Sequence, residues 1–278
     1  MTLRRLAAFA AVVVSALLAN DVQAAARRVS FPGEDGVSLQ GWLYEPATPG
    51  RHRAVVALHG CAGLLGSDGS PSARHADWGE RWAQAGFLAL FPDSFGSRGL
   101  GPQCRVRERD IRPSRQRVAD AKAALAYLAA RPDVDAKRIA LVGWSNGGSS
   151  TLYAVEPRNA PAGVDFALAI AFYPGCRTPL ENGRWATRLP LLVLIGASDD
   201  WTPAEPCADL IAEAKAKGEP ADIVTYAGAY HDFDHPDLPV HTVGGLAFTG
   251  NGTDQAHTGA DPTARADAIR RVMDALNH

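Results

Sequence analysis

"ALVGWSNGGSS", residues 140–150, opens as an apolar strand, closes as a helix, and sets Ser145 between Gly143 and Gly147 at the bend. A bare Gly-x-Ser-x-Gly arises often by chance; strand, tight turn and helix in direct succession are the context that gives it meaning. In that context the glycines let the turn pass close to its neighbours. The turn lifts the serine hydroxyl out of the sheet, and the helix N-terminus points backbone donors toward it. Ser145 is therefore the candidate nucleophile.

Similar apolar runs lie on either side. "AVVALHG" (54–60), "FLALFPD" (87–93), "IALVGWS" (139–145), "FALAIAFYP" (166–174) and "LLVLIGA" (191–197) recur at long intervals, and "DIVTYAG" closes the series. Continuous rather than alternating apolar runs predict strands covered on both faces, as in a parallel sheet. Helical stretches separate them. "RVADAKAALAYLAARP" puts Val118, Ala121, Leu125 and Leu128 on one face and stops at Pro132. Asp261 and Pro262 supply an N-cap and a first-turn proline for "TARADAIRRVMDAL". Ahead of the series, about 28–45 alternates and turns at "GEDG", which predicts an antiparallel hairpin. The class is α/β: a mostly parallel central sheet, helices on both faces and an N-terminal antiparallel hairpin. The glycine-bearing segment 232–260 is long for a structureless loop and reads as a lid or rim.

Arg4 and Arg5 precede the apolar run "LAAFAAVVVSALLA" and a small-residue stretch ending at Ala25, the pattern of a secretory signal peptide over residues 1–24. No later run is long and apolar enough to predict a membrane span, so residues 25–278 are expected as one periplasmic or secreted domain without stable membrane insertion. With 46% hydrophobic and 21% charged residues the chain has the composition of a globular domain. A net charge of -2 leaves no broad basic surface, which argues against nucleic acid as a partner. Cys61, Cys104, Cys176 and Cys207 all fall in the exported part, where oxidation makes disulfides plausible in any of three pairings.

A serine hydroxyl is a poor nucleophile at neutral pH and needs a general base, which in turn needs an orienting carboxylate. The order Ser, acid, His fits a nucleophile of this type. Asp199 and Asp200 follow the next-to-last core run in "GASDDWTP", and His231 follows the last in "YAGAYHDFD". The backbone N–H groups of Asn146 and Cys61 are the expected oxyanion donors. His59 is expected to brace the oxyanion loop. Trp144 and Trp201 are candidates to flank a substrate pocket, with core packing as the alternative. Arg98, Arg105 and Arg107 form either a solvated face or a contact to a substrate carboxylate. His231, Asp232, Asp234 and His235 are densely spaced, but no further ligand motif supports them, and no metal is expected.

"HGCAGL", "DSFGSRG", "GWSNGG", "FYPGC", "GASDDWTP" and "YHDFD", in this order over nearly all of residues 25–278, resemble the dienelactone hydrolase family of α/β-hydrolases. The resemblance implies the α/β-hydrolase fold, a Ser145–His231–Asp199 triad, no cofactor, and a small-molecule carboxylic ester as substrate, lactones included. It selects Asp199 over Asp200 because the family's acid precedes a proline by four positions, here Pro203. The founding members carry a cysteine nucleophile restrained by a glutamate, where this chain has Ser145 and Gly60, so a serine carboxylester hydrolase is implied rather than an enzyme for dienelactone itself. Strand neighbours expected in this fold imply the pairings Cys61 with Cys104 and Cys176 with Cys207. Two rival readings are a serine peptidase of prolyl oligopeptidase type, which "SNGG" also resembles, and a noncatalytic α/β-hydrolase-like binding protein.

Overall fold

The computed structural model describes residues 25–278; the signal peptide expected over 1–24 lies outside the described residues. The chain opens with the hairpin β1 (Ala25–Pro32) and β2 (Ser38–Glu45), followed by β3 (His52–Leu58), α1 (Ala73–Gln84), β4 (Leu88–Pro92) and α2 (Gln116–Ala129). Then come β5 (Val134–Trp144), α3 (Asn146–Ala154), β6 (Leu168–Phe172), α4 (Arg177–Glu181), β7 (Leu191–Gly196), α5 (Ala204–Ala216) and β8 (Ala221–Tyr226). The short pair β9 (His241–Val243) and β10 (Ala256–Thr258) precedes α6 (Pro262–Asn277).

Eight strands form one sheet in the order β1-β2-β4-β3-β5-β6-β7-β8. β1 with β2 and β2 with β4 are antiparallel; every other adjacent pair is parallel. Each apolar run read from the sequence is a strand here. β5 alone starts well ahead of its run, because Val134 also pairs with His52 across a register shift in β3. From β3 the chain goes to β4 on one side and then to β5 on the other. That reversal opens a crevice at the strands' carboxyl ends, the place where open α/β sheets bind ligands.

Alternation along β5 assigns the helices to faces. Trp144 meets Trp78 and Trp82 of α1 at ring-centroid distances of 6.2 and 6.1 Å, whereas a Cβ on Gly143 would run into Gly147 and Thr151 of α3. So α1 and α3 cover opposite faces. Arg265 of α6 pairs with Asp77 of α1 at 2.7 Å, tying the last helix to the first. In α2 the predicted face of Val118, Ala121, Leu125 and Leu128 is buried. Asp261 caps α6 by accepting the Thr263 and Ala264 amides at 3.0 and 2.9 Å.

Candidate active site

Ser145 is both the last residue before α3 and its N-cap, at φ 52° and ψ -114°. A left-handed φ is costly for a non-glycine residue and persists only when the surroundings enforce it. The enforcement is visible. A Cβ on Gly147 would overlap the Leu58 carbonyl of β3, one on Gly143 would overlap the Gly147 carbonyl, and the Ser145 amide donates to Phe172 C=O at 2.9 Å. Among the described residues two more non-glycine residues have positive φ, Tyr173 at 36° and Asp232 at 61°, and both lie against the same site. Ser145, Asn146 and Cys61 line a cleft of about 1030 Å³ whose walls include Trp201, Phe248 and Arg109.

His231 is buried beside that cleft, with Tyr173 and Trp201 at ring-centroid distances of 4.4 and 4.7 Å. Its Nδ1 donates to Asp199 Oδ2 at 2.8 Å. Asp199 is itself held by the Trp201 and Thr202 amides on Oδ1 at 3.0 and 2.8 Å and by the Thr202 hydroxyl on Oδ2 at 3.0 Å. With Nδ1 engaged, Nε2 is the lone-pair nitrogen, and it is buried without a hydrogen-bond partner among the described residues. Burial works against the imidazolium, but the Asp199 charge and hydrogen bond, with Asp232 behind them, outweigh it and raise the pKa above 6.5. Asp200 turns away from His231 and accepts from His257 Nδ1 at 2.8 Å.

Behind His231 lies a buried polar cluster. Arg74 of α1 pairs with Asp232 and donates to Tyr173 Oη at 3.0 Å. Tyr173 donates to Asp234 Oδ1 at 2.5 Å, and Asp234 Oδ2 accepts the indole N–H groups of Trp78 and Trp144, both at 2.8 Å. Thr258 donates to Asp232 Oδ2 at 2.8 Å. Burial disfavours the charged Asp232, yet Arg74 and His231 pull its pKa well below the usual carboxylate range. Asp232, Asp234, His231 and His235 thus have separate partners, His235 meeting Asp237 at 3.2 Å. Among the described residues no three His, Cys, Asp or Glu side chains converge as metal ligands.

Three residues singled out in the sequence, Trp144, Arg98 and Arg105, stand away from the cleft. Trp144 does not flank the pocket: it is fully buried, stacked on Phe172 at 5.5 Å, because strand alternation turns it into the aromatic layer under α1. Trp201 does line the cleft. Arg98 forms a two-pronged pair with Asp120 at 2.9 and 2.7 Å, and Arg105 donates to Gly244 C=O at 3.2 Å, while Arg107 reaches the cleft. His59 donates from Nδ1 to Gly60 C=O at 2.8 Å and accepts the Ser94 amide on Nε2 at 3.1 Å, so its ring ties the loop carrying Cys61 to the turn after β4. Burial and the charge of Arg117 hold its pKa well below 6.5. Disulfides join Cys61 to Cys104 and Cys176 to Cys207, and Cys61 and Cys176 line the cleft. The segment 232–260 forms β9, β10 and a rim that reaches the cleft through Ala247–Thr253.

Thr202 and Arg117 were not singled out in the sequence. Thr202 follows Asp199 by three residues, the spacing of a local side-chain-to-backbone turn, and was legible in principle. Arg117 opens a helix as an ordinary solvent-facing arginine would, and only its tertiary contacts distinguish it.

The family model described as the dienelactone hydrolase family matches residues 39–278. This chain belongs to the dienelactone hydrolase family. An uncharacterized protein of Mycobacterium tuberculosis is 31% identical over 231 residues, spanning 77% of this chain and 75% of its own. Among solved structures, a Klebsiella pneumoniae protein assigned to the dienelactone hydrolases is similar with TM-score 0.66 at 21% identity, over 91% of this chain and 98% of that one. Thermogutta terrifontis esterase 2, phosphoramylated by tabun, has TM-score 0.61 at 22% identity, over 90% of this chain and 93% of its own. These two show the α/β-hydrolase fold, and membership in the dienelactone hydrolase family makes the chain an ester hydrolase.

Proposed function

We propose that the dienelactone hydrolase family member described here is an exported serine hydrolase that cleaves carboxylic esters, lactones among them, through an acyl-enzyme on Ser145. One observation carries the reading: His231 is fastened to Asp199 through Nδ1 while its Nε2 stays unpartnered beside a cleft whose floor is the strained Ser145. In this reading Ser145 Oγ attacks the ester carbonyl as His231 Nε2 takes its proton, and the proton passes to the leaving alkoxide. Water, deprotonated by His231, then attacks the acyl-enzyme; the bond from the acyl carbon to Ser145 Oγ breaks, His231 returns the proton to Oγ, and the acid leaves. The N–H groups of Asn146 and Cys61 receive the oxyanion in both steps; that of Asn146 is the first amide of α3 and has no acceptor within its helix. The leader-like residues 1–24 and the two disulfides support export.

Initial rates on 4-nitrophenyl esters of rising acyl length, with Ser145→Ala beside the native protein, test the proposal. Ser145→Ala is expected to lose about 10⁶-fold in kcat while remaining folded. A fluorophosphonate should label Ser145. Full activity in the variant, or turnover of matched amides in preference to esters, would overturn the assignment.

A further inference from the structure

Arg117 lies in the first turn of α2 and is fully buried. One of its nitrogens, Nη1, donates to His59 C=O at 2.7 Å and to Asn146 Oδ1 at 2.8 Å. These acceptors belong to the two separate strand ends from which the oxyanion hole is built. The His59 carbonyl orients the peptide leading into Gly60 and Cys61, and Asn146 supplies the other N–H. The guanidinium rests over Phe95, its carbon 5.1 Å from the ring centroid. The neighbouring carboxylate Asp120 is occupied by Arg98.

We propose that Arg117 is the positioning residue of the oxyanion hole: one guanidinium nitrogen holds the Cys61 loop and Asn146 in mutual register, so that acyl transfer, rather than ester binding, depends on it. The inference rests on the assignment of Ser145 and its oxyanion donors. Preorganised donors stabilise the transition state only when they are aimed at the oxyanion, and a misplacement of about 1 Å costs about 100-fold in rate. Arg117 makes no hydrogen bond to His231 or Asp199 among the described residues, so the loss should fall on kcat. Burial pushes the Arg117 pKa down to about 10, with Asp120 and Asp93 opposing, so the group is still a cation at neutral pH. That charge stands behind both donors and favours the developing negative oxygen.

The test uses the purified protein with Arg117→Lys, Arg117→Met, Asn146→Ala and the double variant Arg117→Lys/Asn146→Ala. Lysine keeps the charge, but its chain is one bond shorter, so its ammonium does not reach the position from which Nη1 meets both acceptors. Expected for Arg117→Lys and Asn146→Ala is a fall in kcat of about 10- to 100-fold with KM within about threefold. The pH midpoint of kcat/KM should stay in place, and labelling of Ser145 by a fluorophosphonate should slow in parallel. Because one nitrogen serves both partners, the double variant should lose no more than the weaker single. Native kcat in either single variant, a loss confined to KM, or additive losses would overturn the proposal. If Arg117→Met fails to fold, Asn146→Ala still decides, since it leaves the buried cation and the Asn146 N–H in place. Failure of the native protein to label at Ser145 would instead strike the acyl-enzyme reading itself.

Discussion

Two adjacent aspartates hold two histidines in what is locally the same contact. Asp199 meets His231 and Asp200 meets His257, each through Nδ1 at 2.8 Å. Their surroundings differ. The first pair is closed from solvent, with side chains 0% and 1% exposed, and is roofed by Tyr173, Trp201 and Thr202; the second is 29% and 45% exposed beside a separate surface hollow. What sets the buried pair apart is a carboxylate saturated with donors, a second imidazole nitrogen without a hydrogen-bond partner among the described residues, and exclusion of water. Distance alone does not separate the two pairs.

The sharpest way to break the comparison is Asp199→Asn. It should reduce kcat by about 10⁴-fold by destabilising the productive tautomer of His231, with little change in fold, as read by turnover and circular dichroism. Thr202→Val removes a hydroxyl that only the buried pair has, shared among Asp199 Oδ2, His231 Nδ1 and the Tyr173 carbonyl at 3.0 to 3.1 Å. The loss of about 1 to 1.5 kcal/mol corresponds to about 10-fold in kcat.

Proton affinity provides a finer probe. His231 must be neutral to act as base, so kcat/KM should rise with pH through a midpoint above 6.5. The linkage runs the other way for folding: the raised pKa stabilises the protonated native state below about 6.5, and that contribution is lost as pH climbs through the folded value. The charged groups around the ring are Asp199, Asp232 and Arg74; the first two raise its pKa and the third lowers it. Tyr173 packs on the ring as a neutral phenol, burial holding its pKa well above 10. Asp232→Asn should move the pH–rate midpoint downward; an unmoved or higher midpoint would show that Asp232 does not act on His231 as described. Asp200→Asn should have the smallest effect, under about threefold in kcat, because surface ion pairs contribute little and this one faces no reacting atom.

Most of the architecture was readable because it follows from local rules. Uninterrupted apolar runs became the parallel strands, and the glycines around Ser145 mark the place where α3 presses on β3 and β5. That Asp199 and His231 come together was readable because each follows a strand that ends at the crevice. The choice between Asp199 and Asp200 came from the proline spacing of related chains, since both aspartates stand at the same strand end. Of the two readings open for Trp144, core packing holds, because neighbouring residues of a strand point to opposite faces. Arg98 is settled by Asp120, a residue 22 positions away on α2. Arg117 was out of reach for a related reason: exposed and buried arginines are spelled alike until the partners are known.

The two disulfides close the cleft from different sides, Cys61–Cys104 fastening the loop after β3 to the segment after β4 and Cys176–Cys207 fastening the start of α4 to α5. A reduced chain still carries Ser145, His231 and Asp199, but it has neither wall secured. Where glutathione keeps thiols reduced, all the reacting groups are present without a stapled binding surface; where thiols are oxidised, the surface is completed by the folding chemistry itself. Under the proposed export, the redox state of the compartment acts as a built-in timer, and the proposed competence against esters comes with arrival rather than with synthesis.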